Sequence, residues 1–156
     1  MNKLVISICL ILFMSSESIL IKGKDFTGYI FDKNHFVLMT IDNQSKRYTP
    51  SKEDIFLAES IIKNKLKCIN TSLMNQGDNC PIIHKKTKKY IRQYVGFINN
   101  RNEKIVWINF IWKDKFSNDK IYKDIIQVMD GCSYYWNIKV NLETKTLNDL
   151  NINGQG

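Results

Sequence analysis

The stretch TPSKEDIFLAESIIKNKLKCI, residues 49–69, carries a single hydrophobic period along its whole length. Ile55, Ala58, Ile61, Ile62, Leu66 and Ile69 recur at steps of three and four, while Lys52, Glu59, Lys63, Asn64 and Lys67 lie off that stripe. This pattern predicts one amphipathic helix over residues 50–69. Thr49 suits the N-cap and Pro50 the first helical position. Glu53 and Asp54 suit the first turn, where the positive end of the helix dipole favours acids.

Working outward, the period changes to two. Residues 70–81 hold Asn, Gly, Asp and Pro with few apolar side chains and read as a loop. Residues 90–98 set Ile91, Val95 and Phe97 against Tyr90, Arg92 and Tyr94. Residues 104–112 are nearly continuous apolar, as a central strand covered on both faces would be. A polar loop at 117–120 leads to a predicted strand at 125–129, and Asp130-Gly131 is read as a hairpin turn. Residues 133–142 follow, with Tyr134, Trp136, Ile138, Val140 and Leu142 on one side, then a last strand at 147–152. On the other side of the helix, residues 26–31 and 36–41 are rich in β-branched and aromatic residues and flank Asp32, Lys33 and Asn34, the pattern of a β-hairpin. The expected fold class is α+β: one long helix packed on a curved antiparallel sheet of four to five strands, with an N-terminal β-hairpin.

The chain has 156 residues, 44% of them hydrophobic, with 7 Gly and 2 Pro. One globular domain is expected, over residues 24–153, and collagen-like or long-linker classes are excluded. Lys3, an apolar run over residues 4–14 and the small polar stretch Ser15, Ser16, Glu17, Ser18 form a secretory signal pattern, residues 1–18. A membrane span needs about 20 apolar residues, so an anchor fits less well. Export to the periplasm or medium is expected, with membrane contact only through this segment. Its removal takes Lys3 and Glu17, so the net charge of +8 belongs to the remainder.

Export leaves Cys68, Cys80 and Cys132. An odd number allows one bridge, and Cys68 with Cys80 is the expected pair if one forms; the alternative is three small apolar fillers. No C-x-x-C spacing supports zinc or thioredoxin-like chemistry.

Four segments resemble a group of small, uncharacterised exported proteins of Bacteroidota: residues 48–55 (YTPSKEDI), 92–99 (RQYVGFIN), 129–142 (MDGCSYYWNIKVNL) and Asn153-Gly154. This resemblance implies no activity. The order of elements is similar to the cystatin-like folds. Cystatins inhibit papain-like proteases through a Q-x-V-x-G loop and a Pro-Trp loop. Here Gln93-Tyr94-Val95-Gly96 is one residue short of the first and Pro-Trp is missing, so only the architecture is implied.

Residues able to carry chemistry are few. Cys80 and His84 lie four apart and are the sequence-near candidates for a thiol and its base, in an envelope hydrolase. His35 and His84 lack metal-ligand spacing; no metal, cofactor or catalytic residue is expected. Asp130 beside Gly131 is explained by the turn. The outstanding feature is the run Lys85, Lys86, Lys88, Lys89 and Arg92, which with Arg101 supplies six positive charges before the next acid, Glu103. Such a run binds anionic surfaces, or simply keeps a sheet edge soluble. Lysines outnumber arginines 20 to 3, which disfavours bidentate phosphate recognition. An exported protein seldom meets nucleic acid, so the expected partner is a protein or an anionic ligand. The leading expectation is a non-catalytic exported binding domain.

Overall fold

The computed structural model describes residues 18–37, 46–115 and 119–154. Residues 1–17 of the 1–18 signal pattern, the strand residues 38–41 and loop residues 117–118 lie outside the described residues. The elements are β1 (Ile19–Lys22), β2 (Thr27–Ile30), β3 (Arg47–Tyr48), α1 (Lys52–Ile69), the short α2 (Ile83–Lys86), β4 (Tyr90–Ile98), β5 (Lys104–Trp112), β6 (Tyr135–Asn141) and β7 (Thr146–Ile152). The protein is α+β, with one long helix on a mixed sheet.

The helix begins at Lys52 rather than Pro50. Ser51 is the N-cap: its Oγ accepts from the Asp54 N–H at 3.2 Å, and the Asp54 carboxylate accepts from the Ser51 N–H at 3.1 Å. This reciprocal pair satisfies two donors that a helix start leaves open. Thr49 is engaged elsewhere, its hydroxyl donating to Asp32 Oδ2 at 2.8 Å and accepting from the Lys33 N–H. Ile55, Ala58, Ile61, Ile62 and Leu66 are buried, as the period requires.

The strands run in the order β1-β2-β4-β5-β6-β7, with β3 beside β4. Strands β4 to β7 are the expected antiparallel meander. The sheet is wider than four or five strands, and it is not wholly antiparallel: β2 pairs parallel with β4, Thr27 opposite Ile91 and Ile30 opposite Tyr94. The chain crosses over through α1 between them, the connection that parallel neighbours need. The N-terminal hairpin also differs from expectation. Among the described residues the antiparallel partner of β2 is β1, joined by a turn in which the Gly23 N–H donates to Phe26 O at 2.9 Å, so the sheet reaches upstream of residue 24 to Ile19. Gly28 permits this layout, since a Cβ there would stand 2.6 Å from both the Arg92 carbonyl oxygen and the Tyr94 ring.

One sheet face packs on α1 through Tyr90, Tyr94, Val106, Ile108, Phe110, Trp136, Ile138 and Val140, with Phe110 and Trp136 stacked 3.6 Å apart between centroids. The other face carries Val95, Phe97, Ile105 and Trp107, which meet Phe31, Val37 and Ile125. The expected strand at 125–129 does not form. That segment is held on the back face by side chains: Gln93 Nε2 donates to the carbonyls of Ile121 and Asp124, each at 2.8 Å, and Gln93 Oε1 accepts from the Ile126 N–H and from Asn109 Nδ2. Two buried amides thus satisfy backbone groups that a ladder would otherwise satisfy. Asp130-Gly131 consequently opens no hairpin. Gly131, at φ 91°, leads into a single 3-10 turn, Cys132–Tyr134, and then β6.

Candidate functional site

Over about two turns of α1, Phe56, Glu59, Ser60 and Lys63 fall at i, i+3, i+4 and i+7 and share a face. That face forms one wall of a cavity of about 360 Å³; the β1–β2 turn supplies Lys24, Asp25 and Phe26, and the entry to β4 supplies Thr87, Lys88 and Arg92. Phe26 and Phe56 meet edge to face, centroids 5.4 Å apart. At the mouth, Asp25 Oδ1 lies 2.7 Å from Lys88 Nζ and Oδ2 lies 3.6 Å from Lys63 Nζ. The hydrogen bond from Lys88, with the added charge of Lys63, holds the Asp25 carboxyl below the usual aspartate range.

Beneath the mouth sits a buried pair. Arg92 is 1% exposed. Its Nε donates to Glu59 Oε1 at 3.1 Å and its Nη1 to Tyr90 O at 2.7 Å, while Tyr94 donates its hydroxyl to the same Glu59 oxygen at 2.8 Å. The guanidinium also lies 5.2 Å from the centroid of the Phe110 ring. Burial, reinforced by the Glu59 charge, pushes the Tyr94 phenol well above its ordinary value.

The expected anionic-ligand residues therefore divide. Lys85, Lys86 and Lys89 are exposed on the short segment that precedes β4; Lys88 is exposed but bridged to Asp25. Arg92 does not belong to the surface cluster, because its position in β4 turns it toward α1 and Glu59 compensates its charge. Lys24, Phe26, Phe56, Glu59 and Lys63 were missed as site residues. They come from segments far apart in sequence, and Glu59 and Lys63 carry the ordinary signature of a solvated helix face.

Cys80 is joined to Cys132, not to Cys68, which is free and exposed. The Cys68–Cys80 pairing is therefore corrected: Cys68 lies on the outward side of the last turn of α1, whereas the 70–80 loop folds back against the 3-10 turn that holds Cys132. The sulfur of Cys80 is thus committed to a bridge and supplies no thiol nucleophile. His84 belongs to a different arrangement. Asn70 and Gln76 exchange amide hydrogen bonds at 2.9 and 2.7 Å, which fixes Asn70 Nδ2 toward His84 Nδ1 at 2.9 Å, and Gln76 Oε1 also accepts from the Ile83 N–H. Burial first, then Lys85 and Lys67, lower the His84 pKa, in keeping with a neutral ring accepting at Nδ1. The network ties the C-terminus of α1 to α2.

The segment Gln93-Tyr94-Val95-Gly96 lies inside β4 with Gln93 fully buried, so it forms no inhibitory loop. Among the described residues no group of three or more His, Cys, Asp or Glu side chains is placed to hold a metal ion, and no helix is long and apolar enough to cross a membrane. Comparison with protein-family models, with curated proteins and with solved structures finds no match for this chain.

Proposed function

We propose that this protein is an exported, non-catalytic binding domain, of the small Bacteroidota group that it resembles, whose basic face takes an anionic ligand. The observation that carries this reading is an excess of positive charge: Lys85, Lys86 and Lys89 are exposed on the segment that gives the cavity Thr87 and Lys88, and the cavity lining holds four cations, Lys24, Lys63, Lys88 and Arg92, against two carboxylates, Asp25 and Glu59. An excess of one sign around a concave, partly apolar surface raises the local concentration of the opposite sign. Export is supported by the signal pattern at residues 1–18, and the Cys80–Cys132 bridge is compatible with an oxidising compartment. The cystatin-like architecture is kept as a likeness in the order of helix and following strands, without protease inhibition.

The test is retention of the oxidised protein on immobilised heparin, a polyanion without apolar groups. Retention should fall steeply between low and physiological ionic strength, and should be lost when Lys85, Lys86, Lys88 and Lys89 are all changed to Gln. No retention, or retention indifferent to salt, removes the reading.

A further inference from the structure

The mouth of the cavity already holds a carboxylate. Asp25 places one oxygen on Lys88 and the other on Lys63, two lysines brought to one point from α1 and from the segment before β4. Two ammonium groups around one carboxylate leave one positive charge over, and Lys24 adds another on the same rim. Immediately inside, the surface turns apolar. Phe26 and Phe56 form the aromatic wall, Ile62 lies deeper, and Phe56 is 48% exposed, a large side chain left uncovered at the edge of a cavity. The floor is rigid, since Arg92, Glu59 and Tyr94 are locked to one another by the bonds described above. A volume of about 360 Å³ lies at the small end of ligand sites, roughly 300–1,000 Å³. Cationic rim, aromatic wall and closed floor together match a small amphipathic anion.

We infer that the cavity binds a single-tailed, medium-chain carboxylate, with its head group between Lys63 and Lys88 and its tail along Phe26 and Phe56, and that Asp25 is a tethered placeholder for that head group. This rests on the anionic-ligand reading above and narrows it to one site and one ligand class. A ligand carboxylate arriving between the lysines meets Asp25 as a like charge and has to displace it; like charges brought together at a binding site cost affinity. Asp25 thus weakens binding while keeping the lysine pair in place when the cavity is empty.

The experiment is titration of the oxidised protein with octanoate, followed by calorimetry and by amide chemical shifts, with octanol and octyltrimethylammonium as probes of the same tail. Octanoate should bind, octanol at least about tenfold more weakly, and the ammonium not at all. Asp25→Asn, which keeps the side-chain shape and removes the charge, should bind octanoate about tenfold more tightly. Phe56→Ala, at a half-exposed position, should weaken octanoate by about tenfold. Lys63→Gln with Lys88→Gln should abolish octanoate binding. Octanoate that fails to bind while heparin is still retained overturns the inference and leaves the broader function standing. Octanoate binding without heparin retention overturns the extended basic face and confines anion recognition to the cavity. Equal binding of octanol and octanoate overturns carboxylate recognition, and an Asp25→Asn protein that binds octanoate no better than the parent overturns the placeholder.

Discussion

Glu59 accepts hydrogen bonds from two buried donors, the Arg92 guanidinium and the Tyr94 hydroxyl, and its own side chain is 11% exposed. A buried ion pair of this kind adds little net stability over apolar residues of similar size, because both ions lose their hydration on folding. Removing one partner is different, since it leaves the other charge in a low-dielectric site with nothing to compensate it. Glu59→Ala should therefore destabilise the protein by about 3–5 kcal/mol, whereas Glu59→Leu combined with Arg92→Met should recover most of that loss. Equilibrium urea denaturation of the three proteins measures both effects. A loss under about 1 kcal/mol for Glu59→Ala would mean that water reaches Arg92 freely. At this scale the run of charge was misleading, although the alternation over residues 90–98 already set Arg92 on the side of Tyr90 and Tyr94. Arg92 continues a run of lysines, and charge alone groups it with them. The strand begins at Tyr90, however, and from there alternate residues turn inward, so Arg92 shares a side with Tyr90 and Tyr94 while the lysines before it stay in solvent.

The elements were legible where a long periodic pattern specified them. Helix α1, the β4–β5 pair and the β6–β7 pair stand close to their expected bounds because each buries one face and the spacing of apolar residues records it. Segment 119–126 shows the limit of that signal. Ile121 and Ile125 are buried, as in a strand, but the backbone around them is satisfied by Gln93 and Asn109 rather than by a neighbouring strand. Hydrophobic periodicity records burial and is blind to which groups meet the backbone. Gln93→Met keeps the volume and removes four hydrogen bonds. It should cost at least about 2 kcal/mol, given roughly 1–3 kcal/mol for each buried polar group left unpaired, and the Ile126 amide should exchange more than about tenfold faster. Unchanged protection at Ile126 would show that apolar contacts alone hold the segment.

For the molecule as a whole, the Cys80–Cys132 bridge joins residues 52 apart in sequence and fastens the loop after α1 to the start of β6. Closing a loop of that length stabilises by about 4 kcal/mol in the chain-entropy account, with measured values for natural bridges around 2–4 kcal/mol. The Cys80→Ala, Cys132→Ala protein should lose about that much in chemical denaturation. Thiol labelling of the native protein should modify Cys68 alone among these three cysteines. Labelling at Cys80 or Cys132 in the untreated protein would overturn the pairing. Spacing along the chain pointed to Cys68 and Cys80 as neighbours because they bound one short loop, but a helix residue's direction decides whether a short loop can be closed, and Cys68 faces outward. The same distinction governs the whole structure. The sequence by itself determined the composition of the layers, one amphipathic helix and strands with alternating faces, because burial of apolar side chains is a local pattern repeated along each element. Tertiary structure alone decided the parallel seam between β2 and β4, the placement of Arg92 beside Glu59, the cysteine pairing and the cavity mouth shared by Asp25, Lys63 and Lys88. Each of these joins residues from distant segments, and their meeting depends on how the elements pack, which no local period encodes.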